Sequence, residues 1–191
     1  MRNTLKILLW SSVFINLSAG LFGPIYAIFV EQIGGDLLTA GGAYAGFSIA
    51  LGVLVYFLGK WEDKIKHQEN LVIWGRFLTL IATGGYLLIK APWHLFIVQI
   101  TLGIAQALTT PAFDSLYSKN LQKGKFASQW GSWEALTSVT IGIAAILGGL
   151  IAEEFGFKTL FVIMTLIALI ALIISLLLRK DFKKVLKGEI K

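Results

Sequence analysis

Six long stretches of mostly apolar residues dominate this chain of 191 residues. A membrane-spanning helix needs about 20 such residues. The stretches lie at residues 5–30, 38–59, 70–90, 93–118, 129–152 and 157–179. With 56% hydrophobic and only 15% charged residues, the sequence is unlike that of an ordinary soluble domain. We therefore predict an all-α membrane protein whose residues 1–179 form six transmembrane helices, followed by a basic tail at residues 180–191.

The positively charged residues lie mainly on one side of the predicted spans. Fourteen of the 17 Lys and Arg residues lie there, whereas Lys90 and Lys158 lie on the other side and Arg76 lies within a span. Cytoplasmic loops carry an excess of Lys and Arg, so we predict that both termini are cytoplasmic, in a plasma membrane of the prokaryotic type. The charges follow the span ends closely, which favours contact with anionic lipid over binding of nucleic acid.

The residue inventory gives no sign of a catalytic or metal centre. Cysteine is absent, and the two histidines, His67 and His94, are far apart in the sequence. Disulfide, thiol and zinc chemistry are therefore not expected. Neither a Ser–His–Asp arrangement nor a phosphate-binding loop is recognisable. We predict a protein that is not an enzyme and that needs no cofactor.

Weak internal similarity indicates a repeat of three spans. At an offset of 90 residues Ala45 aligns with Ala135, and at an offset of 87 Pro24 aligns with Pro111. Because three is odd, the second copy, from about residue 91, would be inverted relative to the first, and such repeats form sites where they meet near the midplane. We also expect Pro24 and Pro111 to kink their helices.

Polar residues within the first and fourth spans are the candidates for lining a cavity. Polar groups at membrane depth usually face the bundle interior or a water-filled cavity. The candidates are Asn16, Ser18, Tyr26, Gln99, Gln106 and Thr110. The alternative is that Asn16 and Gln106 only form hydrogen bonds to neighbouring helices. The sixth span is almost wholly aliphatic, so we expect it to face lipid.

Three charged residues fall inside predicted spans at a similar depth. Arg76, Asp114 and Glu134 each lie five or six positions from the cytoplasmic face, and opposite charges at one depth can pair. Together with Asp63 they form a predicted charge network. The alternative is that Arg76 extends alone to the lipid headgroups.

The loop between the second and third spans is similar to a known family motif. Gly59, Asp63 and Leu71 match the pattern G-x-x-x-D-R-x-G-R-R-x-x-L. In this sequence Lys64 replaces its first arginine, Lys66 replaces its second glycine, and His67 and Gln68 replace its basic pair. With six spans, a three-plus-three repeat and cytoplasmic ends, the chain resembles the amino-terminal half of a major facilitator superfamily transporter. In that family this loop belongs to a charge relay that stabilises the outward-facing state, which the resemblance implies for Asp63 and Lys64.

The resemblance implies secondary transport of a small solute by alternating access. Six spans are half of the usual twelve, so we expect a homodimer or a second six-span half as partner. Small residues such as Gly42 and Gly46, or Ala144 and Gly148, would allow close contact between subunits. Two alternatives remain: a non-transporting scaffold or regulatory membrane protein, and a truncated amino-terminal half of a twelve-span transporter.

Overall fold

The structure, a computed structural model, describes residues 3–186, with side chains up to residue 179. Its helices are α1 Asn3–Phe22, α2 Tyr26–Gln32, α3 Leu37–Glu62, α4 Gln68–Gly85, α5 Pro92–Lys119 and α6 Phe126–Leu186. Short 3₁₀ turns at Gly23–Ile25 and Tyr86–Leu88 follow α1 and α4. Every regular element in this part of the chain is helical, as expected. The side chains of the predicted basic tail lie outside the described residues.

Five helical stretches of the described chain are long and apolar enough to cross a membrane. The fifth, Phe126–Arg179, contains 54 residues and includes both the predicted fifth and sixth spans. The loop expected at residues 153–156 is instead a break in α6 at a single residue. Gly156 has φ 77° and ψ 166°, a conformation that is essentially restricted to glycine. Residues 126–155 and 157–186 of α6 are therefore two helices joined at this glycine.

The two prolines expected to kink helices have different surroundings. Pro24 lies in the 3₁₀ turn that separates α1 from α2. By contrast, α5 continues through Pro111 without interruption. The first span is therefore built from two helical pieces, while the fourth is one helix.

The helices surround two hydrophobic cores at opposite ends of the bundle. One core lies at the basic end, which we define as the end where α3 and α5 finish and α4 and α6 begin; it includes Leu8, Val72 and Tyr117. The other core is centred on an aromatic cluster that includes Phe22, Phe29, Tyr86 and Phe161, with Phe157 packed against it. Its rings pack mostly edge to face, with centroids of Phe29 and Phe161 4.8 Å apart. Long-range contacts join α1 to α6, and α5 to both α3 and α4.

Small residues allow close helix contacts inside this one bundle. A Cβ atom added at Gly20 would lie 2.8 Å from the Cβ atom of Ala144, which brings α1 against α6. Gly46 of α3 faces α5, because a Cβ atom added there would lie 3.4 Å from the side chain of Ile100. By contrast, nothing lies within 4 Å of a Cβ atom added at Gly142. Several small residues expected between subunits therefore pack within the chain.

The last part of α6 does not simply face lipid. It buries a stripe that includes Leu160, Met164, Ala168 and Ser175, while Leu166 is 55% exposed on another face. The expectation of an aliphatic span facing lipid is thus wrong for the buried stripe. The period of this stripe matches a helix with one side packed against a core.

Two other helices leave large apolar faces uncovered. In the most apolar window of α3 only 6% of the residues are buried. Exposed apolar side chains on α3 include Tyr44, Ile49, Val53 and Phe57, and those on residues 126–155 include Val139, Ile143, Ile146 and Leu150. Faces of this kind are covered by lipid or by another protein.

Candidate solute-binding site

Two neighbouring cavities lie between the helices. The basic-end cavity has a volume of about 540 Å³, and the aromatic-end cavity has a volume of about 250 Å³. They share wall residues on four helices: Ile15, Ala19, Phe47, Thr79 and Leu102. The two cavities therefore form adjoining compartments along the bundle.

All six candidate cavity residues lie in the walls of these cavities. Asn16, Gln106 and Thr110 line the basic-end cavity. Ser18, Tyr26 and Gln99 line the aromatic-end cavity. The polar residues at membrane depth on α1 and α5 thus face the interior spaces of the bundle.

Asn16 joins α1 to α6 at the wall of the basic-end cavity. Its Nδ2 atom donates hydrogen bonds to Thr137 Oγ1 at 3.2 Å and to Ser12 Oγ at 3.3 Å. Ser12 Oγ also accepts a hydrogen bond of 3.3 Å from Trp133 Nε1. Asn16 therefore forms a hydrogen bond to a neighbouring helix and also lines a cavity, so these two roles do not exclude each other.

The basic-end cavity has an aromatic wall that was not predicted from the sequence. Trp130, Trp133 and Thr137 come from the start of α6, and Phe113 comes from α5. Spacings of three and four residues place the first three on one helix face, which is the signal that could have identified them. The ring centroids of Phe113 and Trp133 are 5.8 Å apart.

The polar groups of the aromatic-end cavity differ in how they are satisfied. Ser18 Oγ donates a hydrogen bond of 3.1 Å to the carbonyl of Met164, so it is tied to the wall. The hydroxyl of Tyr26 is buried opposite Gln99 but makes no hydrogen bond of ordinary geometry with a described residue. The Tyr26 hydroxyl is therefore less firmly tied to the cavity wall than Ser18 is.

The predicted charge network does not form. Arg76 is only 7% exposed, and its Nε atom has no hydrogen-bond partner among the described residues. Within the described chain, no Lys or Arg forms an ion pair with a carboxylate, and the one acid–base contact is the 2.9 Å hydrogen bond between His67 Nδ1 and Glu69 Oε1. Asp114 lines the same cavity as Arg76 without pairing with it, whereas Glu134 and Asp63 are exposed. Similar depth did not bring these groups together, because Glu134 and Asp63 do not face the cavity.

Gln68, which does not match the motif, makes the side-chain hydrogen bonds that join the loop motif to the rest of the bundle. Asp63 ends α3, where its backbone N–H donates to the carbonyl of Gly59 at 3.3 Å, and both Asp63 and Lys64 are exposed. Leu71 is buried in the basic-end core. Gln68 makes the long-range contacts.

Gln68 connects the start of α4 to the end of α5. Its Oε1 atom accepts hydrogen bonds of 2.9 Å from both Ser115 Oγ and Lys119 Nζ. Its Nε2 atom donates to the carbonyl of Glu62 at 3.3 Å. The Glu62 side chain is 2% exposed, and neither carboxylate oxygen has a hydrogen-bond partner among the described residues. Neither Gln68 nor Glu62 was among the site residues predicted from the sequence.

Comparison with known proteins identifies the family. The family model described as Major Facilitator Superfamily matches residues 8–191. The chain belongs to this superfamily. Its membership and its long apolar helices make it an integral, multi-pass membrane protein, and they confirm the resemblance found in the sequence.

Three relatives in this superfamily differ in length. Uncharacterized MFS-type transporter MJ1560 of Methanocaldococcus jannaschii is 26% identical over 91% of this chain and 45% of its own length. Multidrug resistance protein MdtG of Dickeya zeae is 25% identical over 94% of this chain and 45% of its own length. Uncharacterized MFS-type transporter YitZ of Bacillus subtilis is 26% identical over 75% of this chain and 87% of its own length. The chain thus spans less than half of two of these relatives and most of the third.

Proposed function

We propose that this chain forms one half of a secondary transporter that moves a small solute across the membrane by alternating access. The observation that carries this proposal is the position of the polar residues. In a bundle that is otherwise apolar, six polar side chains from α1, α2 and α5 line two adjoining cavities. Such residues usually mark a solute pathway in membrane proteins. Superfamily membership supports transport rather than an enzymatic reaction.

The proposed topology has six spans in two inverted repeats, with both termini in the cytoplasm. At about 1.5 Å per residue, a straight helix over the 54 residues of Phe126–Arg179 would far exceed a hydrocarbon core of about 30 Å. The break at Gly156 divides this stretch into two lengths that each suit one crossing. The concentration of Lys and Arg near the span ends supports the orientation.

The proposed working unit is a homodimer in which a second copy completes the pathway. The exposed apolar faces of α3 and residues 126–155 would be covered by that copy, and exposed Tyr44 of α3 also lines the aromatic-end cavity. A two-fold axis normal to the membrane keeps both copies in the same orientation. A second candidate is the amino-terminal half of a longer transporter, with which the 45% coverage of MJ1560 and MdtG is compatible. The relatives' sources, archaeal and bacterial, support a prokaryotic plasma membrane.

Ligand binding tests the proposed pathway. We would measure thermal unfolding of the purified chain in lipid nanodiscs against a panel of metabolites and drugs, because a ligand at 100 times its Kd stabilises a protein by about 2.7 kcal/mol. Uptake of each hit would then be measured in proteoliposomes. We expect at least one hit that is also transported.

Matched variants connect the hit to the cavities. Asn16→Ala should abolish stabilisation by the hit, whereas Leu166→Ala on the exposed face of α6 should leave it unchanged. If no compound binds or is taken up, or if both variants behave alike, a non-transporting scaffold becomes the better interpretation.

A further inference from the structure

Two unpaired, opposite charges share the basic-end cavity. Among the described residues that line it, Arg76 and Asp114 are the only charged ones. No described residue forms an ion pair with either of them, and the Nε atom of Arg76 has no hydrogen-bond partner among the described residues. An unpaired charge in a largely buried site is costly. Each of these groups therefore has capacity for a charged partner inside the cavity.

A solute with two opposite charges satisfies both groups at once. An anion placed at Arg76 would leave the Asp114 carboxylate unpaired, and a cation at Asp114 would leave the guanidinium unpaired. A zwitterion neutralises both and adds no net charge to the cavity. A guanidinium also suits a carboxylate, because its planar fork matches the two oxygen atoms.

The walls of the cavity indicate the body of the solute. Trp130 and Trp133 pack edge to face with centroids 5.5 Å apart, and Phe113 lies beside Trp133. Aromatic walls of this kind bury apolar surface and favour ring contacts. The cavity volume of about 540 Å³ is within the range of small-molecule sites.

We propose that the basic-end cavity binds a zwitterionic solute of the aromatic amino-acid type. Its carboxylate pairs with Arg76, its ammonium group pairs with Asp114, and its side chain packs against the Trp130–Trp133 wall. This assignment rests on the proposed function, since it names the solute class for part of the same pathway.

Three probes that share the phenylalanine side chain but differ in charge test the assignment. Phenylalanine is a zwitterion, N-acetylphenylalanine is an anion, and phenylalanine methyl ester is a cation. We would measure their affinities for the unmodified protein in nanodiscs by thermal shift at matched concentrations. We expect phenylalanine to bind at least ten-fold more tightly than either derivative. No shift with phenylalanine, or equal shifts with all three probes, overturns the proposal without any variant being needed.

Charge-removing variants assign each group to its partner. Arg76→Gln should lower the affinity for phenylalanine at least ten-fold and reduce the ratio of its affinity to that of the methyl ester. Asp114→Asn should reduce the ratio of the affinity for phenylalanine to that for the N-acetyl derivative. Glu134→Gln, an exposed carboxylate outside the cavity walls, is the control and should change none of the affinities. The unliganded melting temperature of each variant shows whether it is folded. If phenylalanine binds both folded cavity variants as tightly as the parent, it binds elsewhere and the proposal is wrong.

The outcomes separate this inference from the proposed function. If only N-acetylphenylalanine binds, and Asp114→Asn leaves the affinity for it unchanged, the assignment of a zwitterionic solute is wrong but the cavity remains a solute site. If phenylalanine binds as expected but no probe or panel compound is taken up by proteoliposomes, the binding assignment holds and the transport proposal fails.

Discussion

The Oγ atoms of Ser11 in α1 and Ser175 in the last part of α6 lie 2.6 Å apart in a buried hydrogen bond. Ser175 Oγ also donates to the carbonyl of Ala171 at 2.8 Å, so Ser11 is the donor between the two serines. Each of the two serines is at most 1% exposed. The pair is a polar link between α1 and the last part of α6.

We predict that Ser175→Ala destabilises the protein more than Ser11→Ala. Removing Ser175 leaves the Ser11 hydroxyl without its acceptor, at a cost of about 1–2 kcal/mol. Removing Ser11 leaves Ser175 bonded to Ala171, so the cost should be nearer to about 0.6 kcal/mol. Thermal unfolding in mild detergent measures both. Equal losses, or a double variant whose loss equals the sum of the two, would contradict this account of the bond.

We predict that Gly75→Ala separates α4 from α5. An added Cβ atom would overlap Thr109 Oγ1 and lie 2.7 Å from the carbonyl oxygen of Ala105. Overpacking of this kind costs about 1–3 kcal/mol. Gly52→Ala is the matched control, because nothing lies within 4 Å of its added Cβ atom. Thermal unfolding should show a clear loss for Gly75→Ala and none for Gly52→Ala; similar melting temperatures would argue against this packing.

We predict that Glu62→Met stabilises the protein. The Glu62 carboxylate is buried without a hydrogen bond from the described residues, and replacing such a group by an apolar side chain of similar size removes its desolvation cost of about 1–3 kcal/mol. Glu154→Met is the control, since Glu154 is exposed and its replacement should change the free energy of unfolding by less than about 0.5 kcal/mol. A lower melting temperature for Glu62→Met would mean that this carboxylate has a stabilising partner.

We predict that Asp63→Asn reduces transport with little loss of folded protein. The Asp63 side chain is exposed, so its replacement should change stability by less than about 0.5 kcal/mol. Its place in the loop motif leads us to expect a functional role for its charge. Expression, melting temperature and uptake of a hit compound would be measured on the same preparation. Uptake equal to that of the parent would make Asp63 a solvated loop charge only.

We predict that a cysteine at position 142 crosslinks two copies of the chain. The chain has no native cysteine. Gly142 lies in residues 126–155, whose apolar face is uncovered, and nothing lies within 4 Å of a Cβ atom added at this position. Leu166→Cys is the control on the other exposed face. In membranes, Gly142→Cys should give a dimer band and Leu166→Cys should not. The reverse pattern, or a strictly monomeric mass in lipid, would remove the homodimer and favour a different second half.

The sequence predicts the helical bundle well because its strongest signals are local. Long apolar runs fix the helices, and charged or glycine-containing segments separate them. Asn16 and Gln106 could be assigned to cavity walls because a polar side chain at membrane depth has few other places to lie. The buried stripe through Ser175 was missed because an almost uniformly apolar segment gives no sign of which face packs inward.

Contacts between distant side chains were harder to predict. Arg76 and Asp114 have the opposite charges and similar depth that pairing requires, but depth does not specify the direction in which each side chain points. Gln68 departs from the family motif, yet it makes the hydrogen bonds that join α4 to α5. Such contacts depend on how helices are rotated about their axes, which a single sequence does not record.

In the proposed topology, the break at Gly156 determines on which side of the membrane the residues after it emerge. The reversal between two crossings is made at one residue, without a loop that could absorb an insertion or a change of register. Any other residue there would meet the strain of a positive φ of 77°. If α6 ran straight, the last apolar segment would lose its return path and the number of crossings would become odd. The residue at this position thus affects the side of the membrane on which the following segment ends, as well as local stability.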